Sequence, residues 1–212
     1  MRIGFILTLV LSFHLLPAQS NQTPTRVNVV FGIGQVIQEG FNVEGNLFVK
    51  RFVFEYSHGV SLFLSNSQLE EGPEKEQGLE VNIPWTTGFG VGYRINDWLN
   101  IRVEPKWHSF ELFPEGGSNG GGPPLGDYTT FTLGLGLYLN WLPFKNHNSF
   151  LKGIMLVPNL RWWPRLSSSL PEDQLIYLNP LTGNEEIHQA REIGLGNTPF
   201  FFNSSMGYSF TF

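Results

Sequence analysis

Hydrophobic and polar side chains alternate along several stretches of this chain. Between Phe200 and Phe212 the even positions are mostly aromatic, whereas the odd positions after Phe201 are small and polar. Because neighbouring side chains on a β-strand point to opposite faces, this alternation predicts a strand with one apolar and one polar face. Similar segments recur along the chain and predict an all-β fold of eight strands, at 27–37, 46–56, 60–65, 83–95, 99–110, 131–141, 151–163 and 200–212.

The second predicted strand contains a conflict. Its outward face would carry Phe48, Phe52, Phe54 and Tyr56. Lys50 falls on that same face, where the ammonium group would have to reach towards lipid headgroups. A slip of one residue would exchange the two faces of this strand, so the sequence leaves its register open. The segment Ser57 to Gly59 predicts a tight turn before the third strand, which would have Val60, Leu62 and Leu64 on its outward face.

The segments between the predicted strands alternate in length. Short connections follow the second, fourth and sixth strands, while polar or Gly/Pro-rich loops follow the third, fifth and seventh, at 66–80, 114–126 and 167–196. Membrane-spanning barrels have this asymmetry, with short turns at one end and long loops at the other. An even number of strands places both termini at the same end.

The composition of the two faces distinguishes between kinds of barrel. In the segments 83–95 and 131–141 the polar face consists largely of Gly and Thr, which suit a narrow lumen. The apolar face is large and ends in aromatic residues, as the outer face of a membrane barrel does. The sequence therefore predicts an eight-stranded antiparallel up-and-down transmembrane β-barrel. A lipocalin-like barrel or a β-sandwich, with the apolar face inside, is the soluble alternative.

Charge, cysteine content and the N-terminus limit the possibilities further. The chain has no Cys and a net charge of −5, which argue against disulfides, thiolate metal sites and nucleic acid as a partner. Residues 1–20 predict a signal peptide, with a short basic start, an apolar run and cleavage after Ala18 or Ser20. The predicted organisation is a signal peptide at 1–20 and a barrel domain at 21–212.

The segment Gly-Phe-Gly-Val-Gly-Tyr-Arg at 88–94, the Ile-Asn-Asp turn after it and the ending Gly-Tyr-Ser-Phe-Thr-Phe carry a family likeness. With these marks the chain resembles the small eight-stranded outer-membrane proteins of the OmpA-barrel, OmpX and OmpW kind. The resemblance implies a monomer in the outer membrane of a Gram-negative bacterium, in contact with lipid and lipopolysaccharide. It also implies that Phe210 and Phe212 form an assembly signal for the barrel-assembly machinery. Because such barrels include adhesins, stability proteins, narrow pores and a few enzymes, it implies no activity.

The predicted inward faces carry charged and polar side chains that would meet inside the lumen. Since an unpaired charge is costly away from water, these groups are expected to pair and fill the lumen as a polar plug. A gated ion path or a buried recognition site is the alternative, and the excess of basic groups would give a pore a weak anion preference. The residues are Arg51, Glu55, Arg94, Arg102, Glu104, Lys106, His108, Asn159 and Arg161.

A catalytic constellation is not evident in the sequence. His108 and Ser109 invite comparison with lipid-modifying barrel enzymes, but adjacent strand residues point to opposite faces and should not meet. His147 and Ser149 have a more suitable spacing but fall in a short turn. No metal-ligand spacing or cofactor is predicted.

Acidic residues are concentrated in two of the long loops. They predict a solvated surface, with binding of an extracellular ligand, or of cations that bridge to lipopolysaccharide, as the alternative. These residues are Glu70, Glu71, Glu74, Glu76 and Glu80, and Glu172, Asp173, Glu185, Glu186 and Glu192. The sequence therefore favours a non-enzymatic envelope protein with a structural or surface-interaction role. A narrow channel is the second hypothesis and a lipid-modifying enzyme the third.

Overall fold

The computed structural model describes residues 24–37, 39–69, 72–117 and 122–212. The predicted signal peptide and two of the acidic loop residues, Glu70 and Glu71, lie outside the described residues. The strands are β1 (Arg26–Gly32), β2 (Phe41–Val49), β3 (Phe52–Leu64), β4 (Leu79–Arg94), β5 (Leu99–Pro114), β6 (Gly126–Leu139), β7 (Ile154–Trp162), β8 (Arg165–Ser168), β9 (Gln174–Leu178), β10 (Glu185–Gln189) and β11 (Phe200–Thr211). The short helices are α1 (Ile33–Ile37) and α2 (Pro73–Glu76), with single 3₁₀ turns at Asn66–Gln68, Phe150–Gly153, Pro171–Asp173 and Leu195–Asn197.

Strands β1 to β7 together with β11 close into a barrel. Each pairs antiparallel with its neighbour in the chain, and β11 pairs with both β1 and β7. The predicted fold, an eight-stranded antiparallel up-and-down barrel, is therefore confirmed. One end, called here the turn end, carries the beginning of β1, the end of β11 and the short turns. The long connections lie at the opposite end.

The second predicted strand is in fact a hairpin. Val49 at the end of β2 pairs with Phe52 at the start of β3, so Lys50 and Arg51 form the turn between them. Lys50 has a φ of 53°, the left-handed geometry that tight two-residue hairpins require. The prediction that Lys50 lies on the outer face was wrong, and the conflict disappears because the chain reverses there. Phe48, predicted outward, is fully buried in the lumen.

The third predicted strand is the continuation of β3, and no turn occurs at Ser57 to Gly59. Ser61 has a φ of 56°, and beyond it the inward face changes from odd to even positions. Leu62 therefore points into the barrel, although the sequence placed it outside. Opposite it, β4 has a register shift between Asn82 and Thr86. The regular alternation of inward and outward side chains thus breaks at the same level in both strands. As a result, apolar side chains at the ends of both strands face the lumen.

An apolar belt surrounds the barrel. Outward side chains of β3 to β7 and β11 are one-third to two-thirds exposed although they are large and hydrophobic. The belt includes Phe52, Phe54, Tyr56, Phe89, Val91, Tyr93, Val103, Leu133, Leu135, Leu137, Leu160, Phe202, Met206 and Phe210. Water would penalise such a continuous apolar surface, whereas lipid would not. Among the described residues, no helix is both long and apolar enough to cross a membrane.

The last long connection, predicted as a loop over 167–196, contains the short strands β8, β9 and β10. After Pro164, which cannot donate a backbone hydrogen bond, β8 pairs with the half of β6 that lies away from the turn end. Strands β9 and β10 form a separate hairpin. The cap, meaning here the described residues of 65–78 and 163–194, closes this end of the barrel. An apolar core joins cap and barrel through Leu62, Leu69, Val81, Ile83, Phe110, Leu112, Tyr128 and Ala190.

Candidate functional site

The middle of the lumen is built around Arg102 of β5. Its Nη1 donates to Glu44 Oε1 at 2.7 Å and to Glu55 Oε2 at 2.8 Å. The same nitrogen donates to Asn46 at 2.6 Å, while Nε donates to Asn100 at 2.7 Å. All five side chains are almost completely buried. One guanidinium thus joins β2, β3 and β5 across the lumen.

Two more cations extend this network. Lys106 Nζ donates to Glu55 Oε1 at 2.7 Å and to Ser57 Oγ at 2.8 Å. Arg161 of β7 donates from Nη2 to Glu44 Oε2 at 3.2 Å. Both glutamates are consequently shared between two cations, so the ion pairs form one connected cluster.

Glu104 completes the cluster from the side of β6 and β7. It accepts hydrogen bonds from the Tyr138 hydroxyl and, at 2.8 Å, from the indole nitrogen of Trp163. Arg102 stacks over the Tyr138 ring at 3.7 Å, and Arg161 lies 4.7 Å from the Trp163 ring. These aromatic contacts favour the buried cations and occupy the space between them.

The network contains three cations and three carboxylates: Arg102, Lys106 and Arg161 with Glu44, Glu55 and Glu104. Within this network the charges balance, and the basic excess inferred from the sequence does not hold there for two reasons. Arg51 lies in the β2–β3 turn, where it donates to the Tyr93 hydroxyl at 3.0 Å instead of entering the lumen. Glu44 was missed because it falls between the first and second predicted strands, at 27–37 and 46–56. The sequence did contain a pattern that marks Glu44 as inward-facing. Val43, Gly45 and Leu47 lie on the outer face of β2, and Glu44 lies between them on the inner face.

The other predicted lumenal residues lie near the two ends of this network. Arg94 is buried at the turn end and pairs with Asp97 at 3.1 Å. Asn159 donates to the Val157 carbonyl oxygen at 3.0 Å. Arg26, which the sequence analysis did not single out, reaches the Asp97 carbonyl at 3.1 Å and stacks on Phe48. Arg26 and Arg94, together with the Phe48 ring between them, fill the turn end of the lumen.

His108 is buried and fully engaged. Its Nδ1 lies 2.8 Å from Thr86 Oγ1 and its Nε2 lies 3.1 Å from Thr132 Oγ1. Ser109 points to the other face of β5 and is half-buried. The Thr hydroxyls occupy both ring nitrogens, and Ser109 is on the wrong side for a nucleophile activated by His108. Within the described residues, no cluster of three or more His, Asp or Glu suits a metal ion.

A cavity of about 470 Å³ separates the network from the cap. Lys106, His108 and Arg161 line it on the network side, and Leu62 and Phe110 line its walls. Sequence reasoning did not foresee this space. It exists because the inward faces of β3 and β4 become apolar near the cap, and because the connections fold over the barrel end.

The cap is held over the cavity by polar contacts between its two parts. Glu74 of α2 forms an ion pair with Arg191 and lies 3.7 Å from His188 Nδ1. His188 Nε2 contacts the Tyr128 hydroxyl at 3.0 Å. Burial raises the pKa of Glu74, although Arg191 opposes this shift. Burial, assisted by the charge of Arg191, lowers the pKa of His188 to about 4.

Other acidic loop residues also stabilise the cap. Asp173 pairs with Arg165 at 2.7 Å, and Glu192 accepts from the Arg165 backbone at 2.9 Å. Glu186 accepts from Asn179 at 2.9 Å and from the Tyr177 hydroxyl at 3.1 Å. The loops that the sequence presented as acidic surfaces therefore use several of their carboxylates for internal contacts.

No protein-family model matches the chain, and no curated protein matches it significantly. Solved structures with a similar fold include Ail, the attachment invasion locus protein of Yersinia pestis, at 9% sequence identity and a TM-score of 0.43. A structure of Ail in complex with the heparin analogue sucrose octasulfate is 10% identical, with a TM-score of 0.43. Each match covers 89% of this chain and 100% of Ail. At this distance the likeness assigns no function, ligand or partner.

Proposed function

We propose that the protein is a non-enzymatic outer-membrane barrel with a sealed lumen, which interacts with other molecules through its folded cap. The observation that carries this proposal is the combination of an apolar belt with a cap that, among the described residues, covers one end of the barrel. The belt suits lipid, and the lumen is filled by the ion-pair network. The surface left for recognition is therefore at the ends, and the cap is the larger end.

The cap presents an apolar face of its own. On the β9–β10 hairpin Ile176 pairs with Ile187, and Leu178 lies on the same face. These side chains are between 51% and 66% exposed. On the other face of the hairpin, Tyr177 and His188 are buried, Tyr177 against Gln77 and His188 against Tyr128 of the barrel. Because exposed apolar patches of this kind mark interaction sites, the hairpin face is our candidate surface.

The location is tested by fractionating the envelope of the producing cells. The outer-membrane fraction is then run on a detergent gel with and without heating. A folded barrel resists the detergent and migrates differently until it is heated, so we expect a heat-dependent shift in this fraction. A protein found in the soluble periplasmic fraction without such a shift would contradict the proposal and favour the lipocalin-like alternative.

The role of the cap is tested in cells that lack the protein and are complemented with variants. One variant carries Leu178→Glu and Ile187→Glu, and its matched control carries Ser167→Glu and Asn184→Glu, which add the same charge outside the hairpin face. We expect only the first to lower adhesion to surfaces and cell–cell aggregation. If both variants adhere like wild type while loss of the protein causes detergent sensitivity, the role is structural.

Mass spectrometry of lipid A tests the enzymatic hypothesis. We expect the same lipid A profile with and without expression of the protein, because His108 is bonded to two threonines and faces away from lipid. A modified lipid A species that depends on expression would contradict the non-enzymatic proposal.

A further inference from the structure

The cavity between the network and the cap has the size of a small-molecule site. Its volume of about 470 Å³ lies within the range of about 300–1,000 Å³ that is typical of ligand pockets. Barrel side chains form its floor and walls, and cap residues such as His188 and Arg191 form its roof. The space is therefore enclosed by ordered elements from several parts of the chain.

The cavity has two chemically different parts. Its walls near the cap are apolar and include Leu62, Ile83 and Phe110, which also belong to the core between cap and barrel. Its floor carries the ammonium group of Lys106 and the guanidinium group of Arg161. A ligand that matches both parts must have an apolar body and one polar end.

The arrangement of charges selects the sign of that polar end. Lys106 and Arg161 line the cavity, whereas their partners Glu44, Glu55 and Glu104 are absent from the described lining residues. These three carboxylates thus lie behind the floor. Two other carboxylates, Glu74 and Glu192, line the cavity at its cap end, where Glu74 pairs with Arg191 and Glu192 accepts from the Arg165 backbone. Because each cation already has a carboxylate partner, the floor suits a single additional negative charge.

Arg161 also has an unused hydrogen-bond donor. Its Nε is buried and has no hydrogen-bond partner within the described part of the chain. The residue is only 4% exposed, so a ligand in the cavity reaches this group only when the Arg161 side chain shifts towards it. A buried donor without a partner destabilises the folded protein, and an oxygen atom of a ligand would satisfy it.

From these observations we propose that the cavity binds a small monocarboxylate with an apolar or aromatic body. The carboxylate accepts hydrogen bonds from Arg161 and Lys106, and the apolar body lies between Leu62, Ile83 and Phe110. This binding site goes beyond the proposed surface role and depends on the cavity alone, so either proposal can fail without the other.

The test measures binding to the full barrel in nanodiscs of phosphatidylcholine by isothermal titration calorimetry. The probe is 3-phenylpropionate, and its amide is the uncharged control of the same shape. The variant Ile83→Trp fills the cavity, and Val91→Trp places the same side chain on the outer face of the same strand. Arg161→Gln removes the charge at the floor, and Arg161→Lys restores it. Each variant is first checked for heat-dependent migration.

We expect the acid to bind at least tenfold more tightly than the amide. We also expect Ile83→Trp to abolish this binding and Val91→Trp to preserve it. Arg161→Gln should lower the affinity for the acid to the affinity for the amide, and Arg161→Lys should recover part of the affinity for the acid. If Arg161→Gln does not fold, two other results test the proposal. These are the ratio of the affinities for acid and amide, and the difference in binding between Ile83→Trp and Val91→Trp.

Equal affinities of acid and amide would overturn the proposed charge recognition. Equal binding by the two Trp variants would show that the probe binds lipid or the outer face instead. Absence of binding at millimolar concentrations of the probe would overturn the site itself.

Discussion

Arg102 illustrates how the interior of this barrel depends on single residues. Its guanidinium lies between Glu44 and Glu55 and is in contact with the Tyr138 ring. If Arg102 is removed, the two carboxylates keep their burial but lose a shared counter-charge. The remaining partners, Lys106 and Arg161, each reach only one of them.

We expect Arg102→Ala to lower the free energy of unfolding by about 3–5 kcal/mol, because it leaves buried charge uncompensated. Urea unfolding of the barrel in phospholipid vesicles measures this change. The control Arg51→Ala alters a half-exposed arginine of the β2–β3 turn and should change the free energy by less than about 0.5 kcal/mol. Adding Glu55→Gln to Arg102→Ala should restore part of the loss, and its failure to do so would contradict the role of the ion pair.

Glycines on the inward face make room for the large side chains of this network. A Cβ atom at Gly134 of β6 would collide with the indole ring of Trp163, whose nitrogen donates to Glu104. A Cβ at Gly45 of β2 would meet no atom within 4 Å. Both glycines lie in strands, so they form a matched pair.

We expect Gly134→Ala to destabilise the barrel by about 1–3 kcal/mol, because the buried indole would have to move. Gly45→Ala should be neutral or stabilise by about 0.4–1 kcal/mol through the unfolded chain. The midpoints of urea unfolding for the two variants provide the comparison. Equal midpoints would show that Trp163 is not held in place by the network.

At the scale of elements, the cap and the β2–β3 hairpin differed most from the sequence prediction. A two-residue turn of Lys and Arg has none of the Asn-Gly or Asp-Gly signals of tight hairpins, so 46–56 looked like one strand. The cap was predicted as loop because its strands are short and its apolar residues serve a core shared with the barrel. Such a core has no periodicity within the segment itself.

The contact between α2 and the end of β10 makes the cap sensitive to acid. The pKa of His188 is lowered to about 4 in the folded protein, so the folded state resists protonation of this residue. Its contribution to cap stability is complete above the unfolded pKa of about 6.5 and is lost as the pH falls towards 4. The raised pKa of Glu74 acts in the opposite direction, so a variant is needed to isolate His188.

We expect hydrogen exchange of the backbone at 185–191, corrected for the intrinsic pH dependence of exchange, to become faster between pH 6.5 and pH 4. The variant His188→Gln should lose most of this pH response. The control His147→Gln, in the exposed connection after β6, should keep it. An unchanged pH response in His188→Gln would assign the acid sensitivity to another group.

At the scale of the whole molecule, the charge-balanced network decides between a sealed barrel and a channel. The cross-section at Arg102 is occupied by paired side chains and by Tyr138 and Trp163, so an ion would have to displace buried ion pairs to pass. A conducting path would therefore require a rearrangement of the lumen.

We expect the purified protein to show no steady single-channel conductance in planar bilayers. The variant Arg102→Ala, if it folds, should increase brief openings because it removes the central side chain. The outward variant Val91→Ala, which changes only the belt, is the matched control. Stable conductance of the wild-type protein, at the same level in every insertion, would favour the channel hypothesis.

The sequence by itself determined the kind of fold, because strict alternation, small inward residues and large outward residues are local properties of each strand. It also determined the inward face of β5, where no irregularity interrupts the alternation between Asn100 and His108. Only the tertiary structure decided which charges meet, since Arg102 and Arg161 are distant in the sequence from their partners Glu44 and Glu55. The cavity, too, was decided at this level. It results from the face reversal near Ser61 and from a cap whose apolar residues are buried only against the barrel.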